Sequence, residues 1–221
     1  MPTKANREYR NMKIAVRDLV DAEEDQRLVS GYASTFDEPY KLFDGDGWEY
    51  WEVVDRGAFD ETDMSDVIMQ YDHRGRVFAR TRNNTLEVNP DDEGLFIQAD
   101  LGGTEIGREL YEEIRGGYTD RMSFGFTVTG ELEEREKDEN GIVQFTRHIT
   151  KIGKLYDVSA VSIPANDGTS IGADAVTRSL TDLSDGVIAR IQAERLEEEK
   201  LELEKRRAQI KARALSIGGN N

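Results

Sequence analysis

Two long strand-like runs in the second half of the chain limit what it can fold into. "RMSFGFTVTGELEE" (121–134) and "VQFTRHITKIGKLYDVSAVSIP" (143–164) are rich in β-branched and aromatic residues, and they enclose the polar turn "KDENG". Shorter runs of the same kind precede them. "TLEVNPDDEGLFIQADL" places hydrophobic stretches on both sides of "NPDDEG", a hairpin signal. "LVSGYASTF" reads as a strand whose Gly31 suits a bulge, and "VIMQYDH" as a buried strand that ends in polar residues. "MKIAVRDLV" (12–20) alternates loosely and is expected to pair with "LVSGYASTF" as a hairpin or meander. "GAFDETDMSDV" resembles a short helical or turn insert.

One segment in this region has helical spacing. In "TEIGRELYEEIRGG", Thr104 can cap a helix whose face carries Ile106, Leu110, Tyr111 and Ile114, and Gly116 and Gly117 end it. The expected architecture is a strand-rich barrel or sandwich with a few helices, over roughly residues 12–175.

Beyond Asn166 the pattern becomes helical and heavily charged. Leu196, Leu201, Leu203 and Ile210 form only a thin apolar stripe, which suits either a solvated single helix or a coiled-coil arm for a partner. The chain divides on this reading into an N-terminal extension (1–11), a core (12–175) and a charged helical tail (176–221).

The formal charge of −16 argues against a general nucleic-acid or anionic-membrane surface and permits a basic partner. With no cysteine, disulfides, thiolate nucleophiles and Cys-type zinc sites are excluded. The N-terminus is too charged for a signal peptide, and no stretch approaches the roughly 18 apolar residues of a membrane span, so a soluble chain is expected.

Ser123 is the first chemical candidate. On an alternating strand it would ordinarily face water; as a nucleophile it would need a base. The chain has two histidines, and imidazole titrates where it can take a serine proton and return it. His73, in "QYDHRG", lies where an apolar strand meets a glycine turn, a junction at which a rigid element can aim a side chain. His148, in "TRHITKIG", sits on an alternating strand and remains a possible third member of a triad. Asp72 is poorly placed to orient its neighbour, because adjacent strand residues point to opposite faces. Asp157, entering the apolar "DVSAVSIP" strand, is either solvated at its tip or partly buried with a donor.

No Walker motif, HExxH or GxSxG is present. "DEPYKLFDGDGWE" lacks the register of a calcium loop and reads as a turn, with Trp48 and Trp51 as core or rim aromatics. No metal or cofactor is implied.

"SGYASTFD", "RGAFDET", "MQYDHRG", "DDEGLFIQADL", "RMSFGF" and "LYDVSAVSIPAND" follow one another in this order. In this the chain resembles the prohead proteases of tailed bacteriophages, serine proteases of capsid maturation related to the herpesvirus assembly proteases. The resemblance implies an α+β, mainly antiparallel barrel-like core similar to the herpesvirus enzymes. It implies His73 as general base, Ser123 as nucleophile and Asp157 as third member, where the herpesvirus enzymes have a second histidine; His148 is the alternative. The backbone amides of Ala165 and Asn166 match the oxyanion loop, although the arginine pair of the herpesvirus enzymes is absent there. Arg121 could assist from its side chain or serve a structural ion pair.

By the same resemblance the enzyme acts inside the procapsid in the host cytoplasm. It would cut the scaffolding region of the major capsid protein and itself, with dimerisation a possible condition and the tail as a targeting or autoprocessed arm. A non-catalytic assembly scaffold or chaperone that keeps the protease fold is the alternative function.

Overall fold

The computed structural model describes residues 7–13, 27–161 and 174–218. The strands are β1 (Glu8–Lys13), β2 (Leu28–Thr35), β3 (Tyr40–Gly45), β4 (Trp48–Val54), β5 (Ile68–Tyr71), β6 (Arg74–Arg80), β7 (Leu86–Pro90), β8 (Gly94–Asp100), β9 (Arg121–Lys137) and β10 (Val143–Val161). Two α-helices are described, α1 (Glu105–Arg115) and α2 (Asp174–Gly218).

The two long runs seen in the sequence are β9 and β10, an antiparallel pair in register from Lys137↔Val143 to Arg121↔Val161. Their turn is fixed locally: Asp138 Oδ1 accepts from the amides of Asn140 (2.9 Å) and Ile142 (2.7 Å). This hairpin is the spine of the larger sheet, ordered β1-β9-β10-β4-β3. Along its other edge β10 pairs in parallel first with β4, through Val143–Ile149, and then with β5, through Asp157–Ala160. β6 extends β5. A smaller sheet, β2-β8-β7, contains the hairpin expected at "NPDDEG". Neither sheet closes on itself among the described residues, so the barrel-like core expected from the sequence is instead a pair of open sheets.

The inner faces of the sheets share one core with α1. Met122, Phe124 and Phe126 of β9, Val158 and Ala160 of β10, Leu95 and Ile97 of β8, and Leu110 and Ile114 of α1 all belong to it. Phe124 and Phe126 stack at 4.6 Å between ring centroids. Each such side chain contributes on the order of 1.5–3 kcal/mol by leaving water. Thr104 caps α1 as expected, its Oγ1 accepting from the Gly107 amide at 3.1 Å. Trp48 is a core aromatic, while Trp51 is partly exposed and donates to Glu49. The irregularity expected at Gly31 lies slightly further on, where the β2–β8 register shifts between Tyr32 and Ser34.

The first strand is not where the alternation placed it. β1 covers Glu8–Lys13, and residues 14–20 lie outside the described residues. Nor does β1 pair with β2: it pairs with β9, and β2 with β8. The reason is electrostatic. Arg10 binds Glu52 of β4 through two bonds (Nε to Oε1 2.5 Å, Nη2 to Oε2 2.7 Å), and Arg147 of β10 donates to Glu8 (2.7 Å), Glu52 (3.0 Å) and Glu131 (2.7 Å). Tyr40 Oη donates to Glu52 at 2.5 Å. Glu52 is fully buried and Arg10 nearly so. Polar residues that hide any apolar pattern therefore hold β1 in the sheet.

Burial opposes the charge of Glu8, but the guanidiniums of Arg147 and Arg10 outweigh it and hold the carboxyl down at about 2. The stabilisation from this group is present above its unfolded value of 4.5 and is lost as pH falls through about 2. An acid-unfolding titration of Glu8→Gln beside the parent should therefore show less loss of stability across that window.

The chain forms two compact units, Met1–Leu180 and Thr181–Asn221. In the second, Leu196, Leu201, Leu203 and Ile210 are about half exposed or more, and Lys200 pairs with Glu197 at 3.0 Å, as on a solvated helix. No described helix is long and apolar enough to cross a membrane.

Candidate active site

β9 alternates between two environments. Met122, Phe124 and Phe126 enter the core, so Ser123 and Gly125 point to the opposite face. Directly opposite residues share a face: Ser159 and Asp157 of β10 stand across from Ser123 and Gly125, and Tyr9 of β1 stands across from Gly125 on the other side. This second face is not open to water. Ser123 and Ser159 are fully buried and Asp157 is 2% exposed. Ser123 therefore does not occupy the water-facing position that its alternation alone suggests.

His73 reaches this face from the β5–β6 hairpin. The pair Tyr71↔Arg74 closes a two-residue turn in which Asp72 and His73 both have positive φ, 50° and 56°. This is the geometry of a tight hairpin turn with left-handed central residues. Each non-glycine residue so placed costs about 1–2 kcal/mol, and strain of this kind is typical of functional sites. The Asp72 amide donates to Ala160 O at 2.9 Å, which ties the turn to β10.

The side chains of His73 and Asp157 are 1% and 3% exposed, and His73 Nδ1 contacts Asp157 Oδ1. Ser159 Oγ donates to the same oxygen at 2.9 Å. A carboxylate accepts, so the proton of this contact sits on Nδ1, the tautomer that leaves Nε2 as the acceptor. Nε2 and Ser123 Oγ are both buried, and neither has a hydrogen-bond partner among the described residues. They are thus not bonded to each other here.

Two further side chains touch the group. The Tyr9 ring meets His73 edge-on at 4.4 Å between centroids. Arg7 lies 3.9 Å from Asp157 Oδ2 and stacks over Tyr156. Neither was legible as a site residue, because nothing local links β1 to positions so distant in sequence. Ser159 could have been found: it lies two residues from Asp157 on a strand, and hence on the same face.

Gly125 leaves room for its neighbours on this face. A Cβ there would lie 2.5 Å from Asp157 Oδ2 and 2.7 Å from the Tyr9 ring. Gly125→Ala should cost about 1–3 kcal/mol of stability. By shifting the carboxylate it should also cost on the order of 100-fold in peptidase rate. Denaturant titration and peptide hydrolysis measure the two effects separately.

The remaining sequence candidates lie elsewhere. His148 pairs with Asp55 at 3.0 Å at a different part of β10, opposite Val53 and Leu132, and is not brought to Ser123. Arg121 forms an ion pair with Asp120 at 3.5 Å. Ala165 and Asn166 fall outside the described residues. No group of acidic or histidine side chains that could hold a metal is found among the described residues.

No curated protein and no solved structure matches the chain. The family described as caudovirus prohead serine protease matches residues 12–185, a span that contains Ser123, His73 and Asp157. The chain belongs to the caudovirus prohead serine proteases.

Proposed function

We propose that Ser123, His73 and Asp157 are the catalytic triad of this capsid-maturation protease. The observation that carries the reading is the buried contact of His73 Nδ1 with Asp157, on the same face as a buried serine whose Oγ has no hydrogen-bond partner among the described residues.

Asp157 holds the imidazole in the tautomer that leaves Nε2 free and stabilises the imidazolium that forms. Nε2 takes the Ser123 proton as Oγ attacks the peptide carbonyl, then gives it to the leaving amine, leaving an acyl-enzyme. Water, deprotonated by the same nitrogen, cleaves the ester and restores Ser123. Ser159 fixes the Asp157 carboxylate from its other side. The amides of Ala165 and Asn166, assigned by family resemblance, would receive the developing oxyanion.

The substrates are the scaffolding region of the major capsid protein and the enzyme itself, cut inside the procapsid in the host cytoplasm. The charged α2 is the targeting or autoprocessed segment, and self-association is a possible condition for activity.

The test is intact mass after expression of the wild type and Ser123→Ala, each alone and with the cognate capsid protein. The wild type should lose terminal fragments and cut the capsid protein, while Ser123→Ala stays whole and leaves it uncut. If both proteins and the capsid protein stay intact throughout, the peptidase reading fails and the assembly-scaffold function takes its place.

A further inference from the structure

Glu8–Asn11, most of β1, precede the span matched by the family, yet this strand lies along one side of the candidate site. Backbone pairing sets Asn11 opposite Ser123 and Tyr9 opposite Gly125. The Tyr9 ring packs on His73, and Arg7 just before the strand faces Asp157. β9 has two edges: β10 occupies one and β1 the other. A peptide carbonyl cannot reach Ser123 Oγ while that atom is fully buried, nor can an extended peptide pair with β9 while β1 does.

We propose that β1 is a strap that closes the site, and that the substrate, an extended peptide strand, pairs with β9 in its place once β1 has peeled away. The proposal rests on Ser123 being the nucleophile.

Three features suit β1 to leaving. It is the edge strand of the sheet among the described residues, so its departure unzips no other described pairing. It carries one acid and one base into the buried network, Glu8 and Arg10, so removing it leaves no change in net charge there. Glu52 then keeps Arg147 and Tyr40 as partners, and Arg147 keeps Glu52 and Glu131. The closed state also buries polar atoms without partners among the described residues: Arg7 Nε, His73 Nε2 and Ser123 Oγ. Opening returns all three to water or to substrate, which removes the desolvation cost of leaving them unpaired. Main-chain bonds to a vacated strand edge would then give the substrate affinity, and pockets for alternate side chains would give it specificity.

The test combines hydrogen exchange with a reversible lock. In the full-length protein, amides of residues 8–13 should exchange at least ~100-fold faster than those of β10, the mark of a sub-global opening. The chain has no cysteine, so Lys13→Cys with Arg121→Cys, a directly paired position, introduces a single disulfide across β1 and β9. When oxidised, the lock should slow phosphonylation of Ser123 by a small fluorophosphonate at least ~10-fold, and reduction should restore it. If residues 8–13 exchange as slowly as β10, or if the oxidised lock reacts with the fluorophosphonate as fast as the reduced form, the strap is overturned. If β1 opens and the lock stops that opening, but Ser123 is labelled in no form, the strap stands and the nucleophile assignment falls.

Discussion

Replacing Asp157 by asparagine should lower kcat/KM for a capsid-derived peptide by about four orders of magnitude while leaving the protein folded. The side chains are nearly isosteric, so the packing around Tyr9, Gly125 and Ser159 survives. What changes is the donor pattern. An amide that turns its NH2 toward His73 Nδ1 makes that nitrogen the acceptor and puts the proton on Nε2, where it cannot take the serine proton. His148→Ala serves as the control: its partner is Asp55, and its removal should change the rate by no more than about 2-fold. Single-turnover hydrolysis with both variants at matched concentrations decides between the two carboxylate–histidine pairs. An equal loss in His148→Ala would move the third triad member away from Asp157.

The largest stability effect is expected far from the chemistry. Glu52→Ala should destabilise the protein by about 3–5 kcal/mol, because it takes the fully buried carboxylate from between the Arg10 and Arg147 guanidiniums and leaves them with the partly exposed Glu8 as the acid they still share. Urea denaturation should show a lower midpoint with an unchanged slope. Disruption of an exposed pair such as Lys41–Asp44 should leave the midpoint nearly unchanged, since solvent screens it and both side chains give up rotamer freedom to form it. The contrast follows from burial. Glu52 has no access to water that could replace a lost partner.

Elements whose signals are local were legible in the sequence. The β7–β8 and β9–β10 turns carry their own side-chain or backbone brackets, as Asp91 and Asp138 show by accepting from amides within their own loops. α1 announced itself through Thr104 and its apolar spacing. β1 did not, because its inward residues are an acid and an arginine whose partners lie on β4 and β10. Burial of a charged strand cannot be read before those partners are known.

The site was legible in part for the same reason. His73 at a strand end and Asp157 at the head of an apolar run gave positions, but their contact depends on a parallel β5–β10 pairing that no short window contains. The strand period correctly separated Ser123 from Met122 and Phe124. It could not reveal that the far face of β9 is covered as well.

The register that sets Glu8 beside Phe126 has a further consequence, in the order of folding. Among the described residues β1 has β9 as its strand partner, far along the chain, and Asp157 follows later still on β10. Loop closure over such a span is slow, and it cannot begin before its far end exists. A polypeptide under synthesis therefore holds Ser123 and His73 before the strand that carries Asp157 is complete. The His73–Asp157 contact and the pairing of β1 with β9 are both completed only when β9 and β10 have been made.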